Sequence, residues 1–459
     1  MTNTNMNNSA IDTMISNARV AQKECELFNQ QQVDRLVMEL AKVVFDNAVE
    51  LAQMAVEETQ MGLVEDKIKK NQGKAKIIWN SLKGKKSVGI ISRNEETGIV
   101  EIAKPVGVVA AVIPTTNPIV TAMSNAMFAI KGRNAVIIAP HPRAKKCTNK
   151  TIELIKKAIA KLGAPDNLIQ IIEEPTIELT GELMKKADVI VATGGMGMVK
   201  AAYSSGKPSF GVGAGNVQCI IDRGVDLKDA VAKIITGRIF DNGIICAGEQ
   251  TVIAPKDEYE EVMKEFINQG AYYTEDENES NALRNIIFAN GLMNKDIVGL
   301  PAIGIAKLAG IEVPEETKLI LMKANGPGKR DLLSKEKMCP VMATYAYNEF
   351  TEAIEIAQIN LELEGKGHTT AVHSNNDKHI EMAGENLAVC RLVVNQTSAT
   401  TAGGSFYNGF APTNTLGCGS WGNNSISENF TYKHLLNITR IGYFMKDASV
   451  PTDEDLWEV

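Results

Sequence analysis

The sequence predicts an α/β fold in which parallel, doubly wound sheets carry helices on both faces. Between residues 106 and 221, short apolar runs rich in β-branched residues alternate with longer stretches of helical spacing. Strands buried on both faces of a parallel sheet read as such runs, and a crossover helix must separate each from the next. At 459 residues the chain is also too long for one simple core, since domains commonly hold about 100–200 residues.

The elements before the first sheet are predicted from spacing. Residues 10–70 carry apolar side chains three and four positions apart, which indicates amphipathic helices. Residues 87–92 and 98–103 read as two strands of a hairpin around a polar turn. The runs that then read as strands are 106–113, 135–139, 168–172, 189–192 and 217–221, with helices near 118–131, 145–162, 176–186 and 196–204.

A second α/β region is expected from about residue 225 to 430, with apolar runs at 251–254, 318–322 and 340–344. Residues 436–444 read as a strand without a sequential partner. It would pair either with the 87–103 hairpin or with another subunit.

Bulk properties exclude several function classes. A net charge of −7 argues against nucleic acid or an anionic membrane as the main partner. No run of eighteen apolar residues occurs, and the first ten residues lack the blocks of a secretion signal. Seven scattered cysteines without zinc-like spacing predict a reduced, cytoplasmic protein with no metal site.

The string Phe-Asp-Asn-Gly-Ile-Ile-Cys-Ala-Gly-Glu-Gln over residues 240–250 singles out Cys246 as a candidate nucleophile. Small residues after the cysteine let a ligand approach the sulfur. Because a thiolate is the attacking form, the site would need an electropositive or hydrogen-bond-donating pocket. The alternative is a small, buried, structural cysteine.

Three further segments are candidates for ligand binding. Asn117 lies between a strand end and Pro118. Its side-chain amide would either donate to the substrate or cap the N-terminus of a helix. Residues 193–197 place glycines at a strand-to-helix turn, where a diphosphate binds or a loop merely closes tightly. Residues 139–146 form a basic cluster, either a phosphate site or a solvated helix face.

These motifs together resemble the CoA-acylating branch of the aldehyde dehydrogenase superfamily, which includes the CoA-dependent succinate-semialdehyde dehydrogenases. The resemblance extends over roughly residues 15–447 and implies an aldehyde dehydrogenase-like fold with an oligomerisation β-arm. It implies a dinucleotide-binding domain over 1–86 and 107–215, a catalytic domain over 216–432, and an arm of 87–106 and 433–449. A homodimer or homotetramer is expected.

The resemblance also implies roles for residues. Cys246 would form a thioester, Asn117 would hold the oxyanion, and His368 would assist the CoA thiol or serve only structure. Hydrolytic relatives carry a glutamate where this chain has Val212, so coenzyme A rather than water is expected to collect the acyl group. The implied cofactor residues are Thr115, His141, Pro142, Arg143, Lys145, Lys146, Thr193, Gly194, Gly195, Gly213 and Glu336.

In many NAD-dependent members of the superfamily a glutamate binds the ribose where this chain has Pro142, and the cations beside Pro142 favour NADP, although NAD is the alternative. The resemblance to the CoA-dependent succinate-semialdehyde dehydrogenases implies succinate semialdehyde as substrate. The loop after residue 395, which walls the substrate entrance in the superfamily, is rich in hydroxyls that would bind its carboxylate, aided by Lys70 or Lys366. A flexible loop, and acetaldehyde or butyraldehyde as substrate with NAD, are the alternatives. The implied substrate-binding residues are Thr397, Ser398, Thr400, Thr401 and Ser405.

Overall fold

The computed structural model describes the backbone of residues 3–458 and the side chains of residues 10–458. Its helices are α1 (Asn3–Cys25), α2 (Gln30–Asp46), α3 (Ala48–Thr59), α4 (Val64–Leu82), α5 (Pro118–Lys131), α6 (Lys145–Ala160), α7 (Ile177–Lys186), α8 (Met196–Tyr203), α9 (Leu227–Ile239), α10 (Tyr259–Asn268), α11 (Glu277–Ile287), α12 (Ala302–Leu308), α13 (Phe350–Leu363), α14 (Asp377–Asn386), α15 (Ser398–Thr401) and α16 (Asp453–Trp457).

The strands are β1 (Gly89–Asn94), β2 (Ile99–Pro105), β3 (Val108–Val112), β4 (Ala135–Ala139), β5 (Ile169–Ile171), β6 (Val189–Thr193), β7 (Ser209–Val212), β8 (Val217–Ile221), β9 (Glu249–Pro255), β10 (Ala271–Thr274), β11 (Phe288–Ala289), β12 (Leu292–Met293), β13 (Leu319–Lys323), β14 (Val341–Tyr347), β15 (Thr370–His373), β16 (Leu392–Val394) and β17 (Leu436–Gly442).

The first sheet has the order β5-β4-β3-β6-β7, and all its neighbouring strands are parallel. The chain moves outward from β3 to β5 and then crosses to the other side of β3 with β6 and β7. This reversal leaves a crevice at the carboxyl ends of β3 and β6, the place where doubly wound sheets bind ligands. Asn117 follows the end of β3, and Gly194 follows the end of β6.

The second sheet has the order β10-β13-β14-β9-β8-β15-β16 and is also parallel throughout. Its central strands β9, β8 and β15 are hydrogen-bonded neighbours. The residues just before these strands therefore share one edge of the sheet, and they include Cys246, Gly215 and His368. Residues far apart in sequence are thus gathered at the amino ends of the central strands.

The predicted hairpin forms, because β1 pairs with β2 in antiparallel register. β17 pairs with the other edge of β2, from Leu436 opposite Pro105 to Gly442 opposite Ile99. The predicted tail strand therefore has its partner within the chain. Within residues 3–458, none of the helices combines the length and the apolarity that crossing a bilayer requires.

Two features of the sheets differ from the pattern of apolar runs. The alternation groups the run 217–221 with the strands of the first sheet, whereas the implied domain boundary places it in the catalytic domain; β8 lies in the centre of the second sheet. The strand β7 (Ser209–Val212), at the edge of the first sheet, was not predicted. A strand this short carries too little apolar periodicity to be recognised among glycines.

Candidate active site

Cys246 lies in the turn that leads into β9, and a salt-bridge cluster holds this turn against α4. The turn contains two left-handed residues, Asp241 (φ 53°) and Asn242 (φ 52°). Such a conformation costs a residue other than glycine about 1–3 kcal/mol and persists only where surrounding contacts enforce it. Here the buried Asp241 carboxylate accepts from the ammonium groups of Lys67 and Lys70 and from the Leu63 backbone N–H at 2.9 Å.

Burial, rather than nearby charge, decides the protonation of the nucleophile. Burial raises the pKa of the Cys246 thiol to about 11, and Glu336 adds to this rise. Arg391 and Lys74 lower the pKa but do not offset the burial. Two cations thus act on the thiol, as the sequence leads one to expect of a reactive cysteine, but desolvation penalises the thiolate more than they stabilise it.

Asn117 occupies the N-cap position of α5, yet its side chain makes no capping hydrogen bond. Its Oδ1 instead accepts from Lys70 Nζ at 2.7 Å. Because an ammonium can only donate, this contact fixes which end of the carboxamide is oxygen. The Asn117 Nδ2 group therefore faces away from Lys70, with Thr116 Oγ1 at 3.3 Å as one acceptor. The N-cap alternative is not realised.

Gly215, Cys246 and His368 meet closely. A Cβ atom at Gly215 would lie 1.8 Å from the Cys246 carbonyl oxygen and 3.3 Å from His368 Cε1, so only glycine fits. His368 is fully buried, its Nδ1 is 2.9 Å from Thr369 Oγ1, and its Nε2 has no hydrogen-bond partner among the described residues. Burial, with help from Arg391, lowers the pKa of His368 to about 3, so the imidazole is neutral.

Glu336 is the carboxyl group that approaches the thiol. It accepts a hydrogen bond from the Gly215 backbone N–H, and burial together with Glu364 raises its pKa to about 8. Val212, at the end of β7, is buried and offers no carboxylate. The sequence motif around Glu336 suggested a cofactor contact only; its electrostatic coupling to Cys246 across some ninety residues of chain gave no sequence signal.

The glycine turn after β6 is open. Gly194 and Gly195 precede α8, and Cβ atoms built there meet nothing within 4 Å. The space suits a phosphate, because the backbone N–H groups at a helix start and the helix dipole favour an anion. Gly213 is constrained instead, since a Cβ atom there would lie 2.2 Å from Met196 Sδ. Thr193 Oγ1, at the end of β6, is 3.1 Å from Thr415 Oγ1.

The basic segment begins α6 and is partly neutralised. Lys145 pairs with Glu174, and the backbone N–H groups of Lys146 and Cys147 both donate to Glu58 at 2.8 Å. Within residues 10–458 no carboxylate lies in ion-pair range of the exposed Arg143 or of the Lys146 side chain. His141 and Pro142 are exposed beside them, and Thr115 is half-buried in the segment after β3.

The hydroxyl-rich loop uses most of its donors internally. Thr400 Oγ1 and Thr401 Oγ1 donate to the Thr397 carbonyl, and Thr397 Oγ1 donates to the Lys233 carbonyl. Threonine commonly binds back to a carbonyl three or four residues earlier in a helical turn, which α15 provides. Ser405 Oγ accepts from the Tyr407 N–H, and buried Ser398 Oγ has no partner among the described residues.

The two lysines suggested as helpers of this loop are engaged elsewhere. Lys70 binds Asp241 and Asn117, whereas Lys366 pairs with Glu362. Sequence reasoning missed Lys74, whose Nζ donates to the carbonyls of Gly403 (2.9 Å) and Thr413 (3.1 Å). The available signal was the spacing of Lys67, Lys70 and Lys74, three and then four residues apart on one helix face.

Comparisons with known proteins agree with this geometry. The sequence is 55% identical over 451 residues to the succinate-semialdehyde dehydrogenase (acetylating) of Clostridium kluyveri, covering 98% of this chain and 99% of the relative. It is 40% identical over 450 residues to the sulfoacetaldehyde dehydrogenase of an Acholeplasma species, covering 96% and 92%. The crystal structure of an acetylating aldehyde dehydrogenase from Geobacillus thermoglucosidasius superposes with a TM-score of 0.93 at 42% identity, over 97% of this chain and 99% of that one.

Two further solved structures carry ligands. A Rhodopseudomonas palustris propionaldehyde dehydrogenase with bound propionyl-CoA and an engineered glycolyl-CoA reductase with bound NADP+ are each 28% identical to this chain. Each has a TM-score of 0.84 and covers 94% of this chain, and the match covers 94% and 96% of those chains. The profile of the aldehyde dehydrogenase family matches residues 1–280. The fold, the turn that carries Cys246 and these matches all agree. The chain belongs to the aldehyde dehydrogenase family.

Proposed function

We propose that the protein is a CoA-acylating aldehyde dehydrogenase that interconverts succinate semialdehyde and succinyl-CoA through a thioester on Cys246. One observation carries the acylating part of the proposal. Where hydrolytic relatives have a glutamate that acts as the base, this chain has the buried, apolar Val212. Cys246 and Asn117 nevertheless both lie beside the salt-bridge cluster around Asp241.

Cys246 Sγ attacks the aldehyde carbon, and a carbon–sulfur bond forms while the carbonyl oxygen becomes an oxyanion. The Nδ2 group of Asn117 donates to that oxygen, together with the backbone N–H of Cys246. Loss of one such donor typically costs about 10²–10³ in rate. The proton of the neutral Cys246 thiol must leave as the bond forms, and the Glu336 carboxylate, which acts electrostatically on the thiol, is placed to accept it.

A bound nicotinamide cofactor supplies the hydride acceptor for this step. Gly194 and Gly195 would hold its diphosphate, and Glu336 would contact its nicotinamide ribose. The resulting thioester persists because Val212 cannot activate water. The thiol sulfur of coenzyme A then attacks the thioester carbon, and the Cys246 thiolate leaves. Exchange of one thioester for another is close to isoenergetic, which makes the reaction reversible.

We propose NADP rather than NAD as the preferred cofactor. Arg143 and Lys146 are cations without a carboxylate partner among the described residues, and a charge-assisted contact with a phosphate contributes about 1.5–3 kcal/mol. The Glu58 carboxylate accepts from two backbone N–H groups at the start of α6 and does not pair with either cation. A preference for NADP of about tenfold or more in kcat/KM is expected, and equal values for both cofactors would contradict it.

The substrate proposal rests on the relatives. One, at 55% identity, is named for succinate semialdehyde, and another for sulfoacetaldehyde, which is also an anionic aldehyde. The test compares kcat/KM for succinate semialdehyde, acetaldehyde and butyraldehyde in the presence of coenzyme A. We expect the highest value for succinate semialdehyde. A higher value for either uncharged aldehyde refutes the assignment and favours an acetaldehyde or butyraldehyde dehydrogenase.

The same proposal divides the chain into a cofactor domain, a catalytic domain and a β-arm that joins subunits. The first hydrophobic core gathers around β3 to β6 and receives Phe430 and Leu435 from the end of the chain, whereas two other cores flank the second sheet. The three-stranded arm sheet of β1, β2 and β17 is separate from both large sheets.

A further inference from the structure

One face of α4 carries more positive charge than its surroundings compensate. Lys67, Lys70 and Lys74 follow one another at helical spacing and form a lysine stripe on that face. The buried Asp241 carboxylate accepts from the first two. Within residues 10–458 no carboxylate lies within ion-pair distance of Lys74. The three ammonium groups of the stripe therefore have one buried carboxylate between them, and it pairs with only two of them.

The Lys74 ammonium is held but not neutralised. Two of its three N–H groups are accounted for by the carbonyls of Gly403 and Thr413. Carbonyl oxygens satisfy hydrogen bonds but carry no net charge, so the partly buried ammonium has no counterion, which is costly. Burial lowers the pKa of Lys74 to about 8. The group is therefore still mostly protonated at neutral pH and retains one N–H for a further acceptor.

Lys74 also lies close to the nucleophile. A Cβ atom at Gly403 would be 2.8 Å from Lys74 Nζ, and Gly403 follows Ala402 in the hydroxyl-rich loop. Ala402 belongs to the same small apolar cluster as Ala247, the residue after Cys246. The charge of Lys74 acts on the Cys246 thiol, in line with this placement. The uncompensated cation is thus bound to the loop that packs against the residue after Cys246, near the space that an aldehyde bound to Cys246 must occupy.

We propose that Lys74 is the receptor for the carboxylate at the far end of the substrate, and thereby determines the preference for an anionic over an uncharged aldehyde. The inference rests on the proposed function and names the residue that produces its substrate selectivity. A carboxylate bound here supplies the missing counterion and takes the third N–H of the ammonium. An uncharged alkyl chain of the same length supplies neither a counterion nor an acceptor, so the Lys74 ammonium stays unpaired.

The test replaces Lys74 by methionine, which keeps the length of the side chain and removes the charge. For K74M we expect kcat/KM with succinate semialdehyde to fall about ten- to a hundredfold, as for the loss of a hydrogen bond to a charged group. With butyraldehyde, an uncharged four-carbon aldehyde, kcat/KM should fall only as far as the loss of a cation near the Cys246 thiol slows both substrates, so the ratio of the two kcat/KM values should fall about tenfold or more. The matched control is K76M, which removes an exposed lysine from the same helix and should leave both values unchanged.

Because Lys74 also connects α4 to two loops, K74M loses both of those hydrogen bonds. K74Q is the second variant, because an uncharged amide keeps N–H donors at this position. It should show the same selective loss. An equal loss for both aldehydes in a folded variant would mean that Lys74 only supports the loop, and unchanged selectivity would mean that another group binds the carboxylate. Either result overturns the inference.

A wrong substrate assignment can be distinguished from a wrong role for Lys74. If the wild-type enzyme itself prefers butyraldehyde, the proposed substrate is wrong whatever the variants do, and no anionic substrate remains for Lys74 to bind. If the wild-type enzyme prefers succinate semialdehyde and folded K74Q keeps that preference in full, only the role of Lys74 is overturned.

Discussion

At the scale of single residues, the protonation of Cys246 is set by residues that are distant in sequence. Burial and the Glu336 carboxyl hold the pKa of the thiol at about 11, against the opposing influence of Arg391 and Lys74. The motif around Cys246 identified the candidate nucleophile from sequence. It did not predict its protonation, because burial and partners separated by 90 to 170 residues along the chain leave no local pattern.

This protonation predicts the pH dependence of alkylation. In the ligand-free enzyme, the rate at which iodoacetamide modifies Cys246 should rise about tenfold per pH unit from pH 7 to 10, since only the thiolate reacts. The pKa of Glu336 is about 8, so above that pH Glu336→Gln removes a negative charge that disfavours the thiolate, and alkylation there should be faster than in the wild type. Peptide mass spectrometry after timed alkylation measures both rates.

Cys390 provides the internal control, since it is likewise half-exposed and its burial also raises the pKa of its thiol. Glu336 is not among the groups that act on it, so its profile should be the same in both proteins. A flat profile for Cys246 between pH 7 and 10 would show that the thiolate already exists at neutral pH.

At the scale of elements, Glu249 links the strand after the nucleophile to the hydroxyl-rich loop. It begins β9, and its Oε1 accepts from the Ser398 N–H at 2.6 Å, at the start of α15. A Cβ atom at Gly237 would lie 2.0 Å from Glu249 Oε2, so α9 also packs directly on this carboxyl group. Burial raises the pKa of Glu249 to about 8. The group is therefore mostly neutral at neutral pH.

A raised carboxyl pKa makes stability depend on pH. Folding favours the protonated form of Glu249. The stabilisation that results from its raised pKa is therefore fully present below the ordinary carboxyl pKa of 4.5 and is lost as the pH rises through about 8. Glu249→Gln keeps the acceptor for Ser398 and cannot ionise. Its Tm should therefore fall less than that of the wild type between pH 5 and 9, as measured by scanning calorimetry.

Glu260→Gln, an exposed substitution on α10, is the matched control and should follow the wild-type curve. Parallel Tm curves for the wild type and Glu249→Gln would contradict the assignment of a buried, titrating carboxyl group.

The elements themselves were largely predictable, for physical reasons that also explain the exceptions. β3, β4 and β6 are buried on both faces and read as continuous apolar runs, so their positions followed from sequence. β7 was missed because its four residues include a glycine. The alternation of apolar runs grouped β8 with the first sheet, since chain order does not reveal which strand a new strand will pair with.

At the scale of the whole molecule, the arm sheet leaves β1 and β17 as its edges among the described residues. Unpaired edges invite pairing with another chain, and Ile441, Tyr443 and Phe444 are exposed at the end of β17. Light scattering should therefore give a mass of at least twice 49.7 kDa. The double substitution I441K/F444K should shift the protein toward monomers, because it places charge on the expected contact.

Leu27→Lys changes an exposed apolar residue between α1 and α2 and should leave the mass unaltered. A monomeric wild type, or an unchanged mass for I441K/F444K, would contradict the role of the arm.

The assembly of the site is the part that sequence reasoning could not reach. Cys246, Asn117 and Glu336 were each identified from a local string. The contact of Lys70 with Asn117 and the approach of Glu336 to the thiol arise only in the folded chain, because each joins segments distant in sequence. The position of Lys74 also depends on α4 meeting the loop that carries Gly403. For Thr400 and Thr401 the sequence suggested substrate binding, but a helical turn directs both hydroxyls to a backbone carbonyl of their own loop.

The most direct test of the central claim follows the acyl group with and without coenzyme A. The enzyme is mixed with succinate semialdehyde and NADP, and NADPH, succinyl-CoA and succinate are quantified over time. We expect continuous turnover to succinyl-CoA with coenzyme A, and without it one burst of NADPH per subunit with an acyl group on Cys246. Release of succinate at an equal rate without coenzyme A would contradict the account.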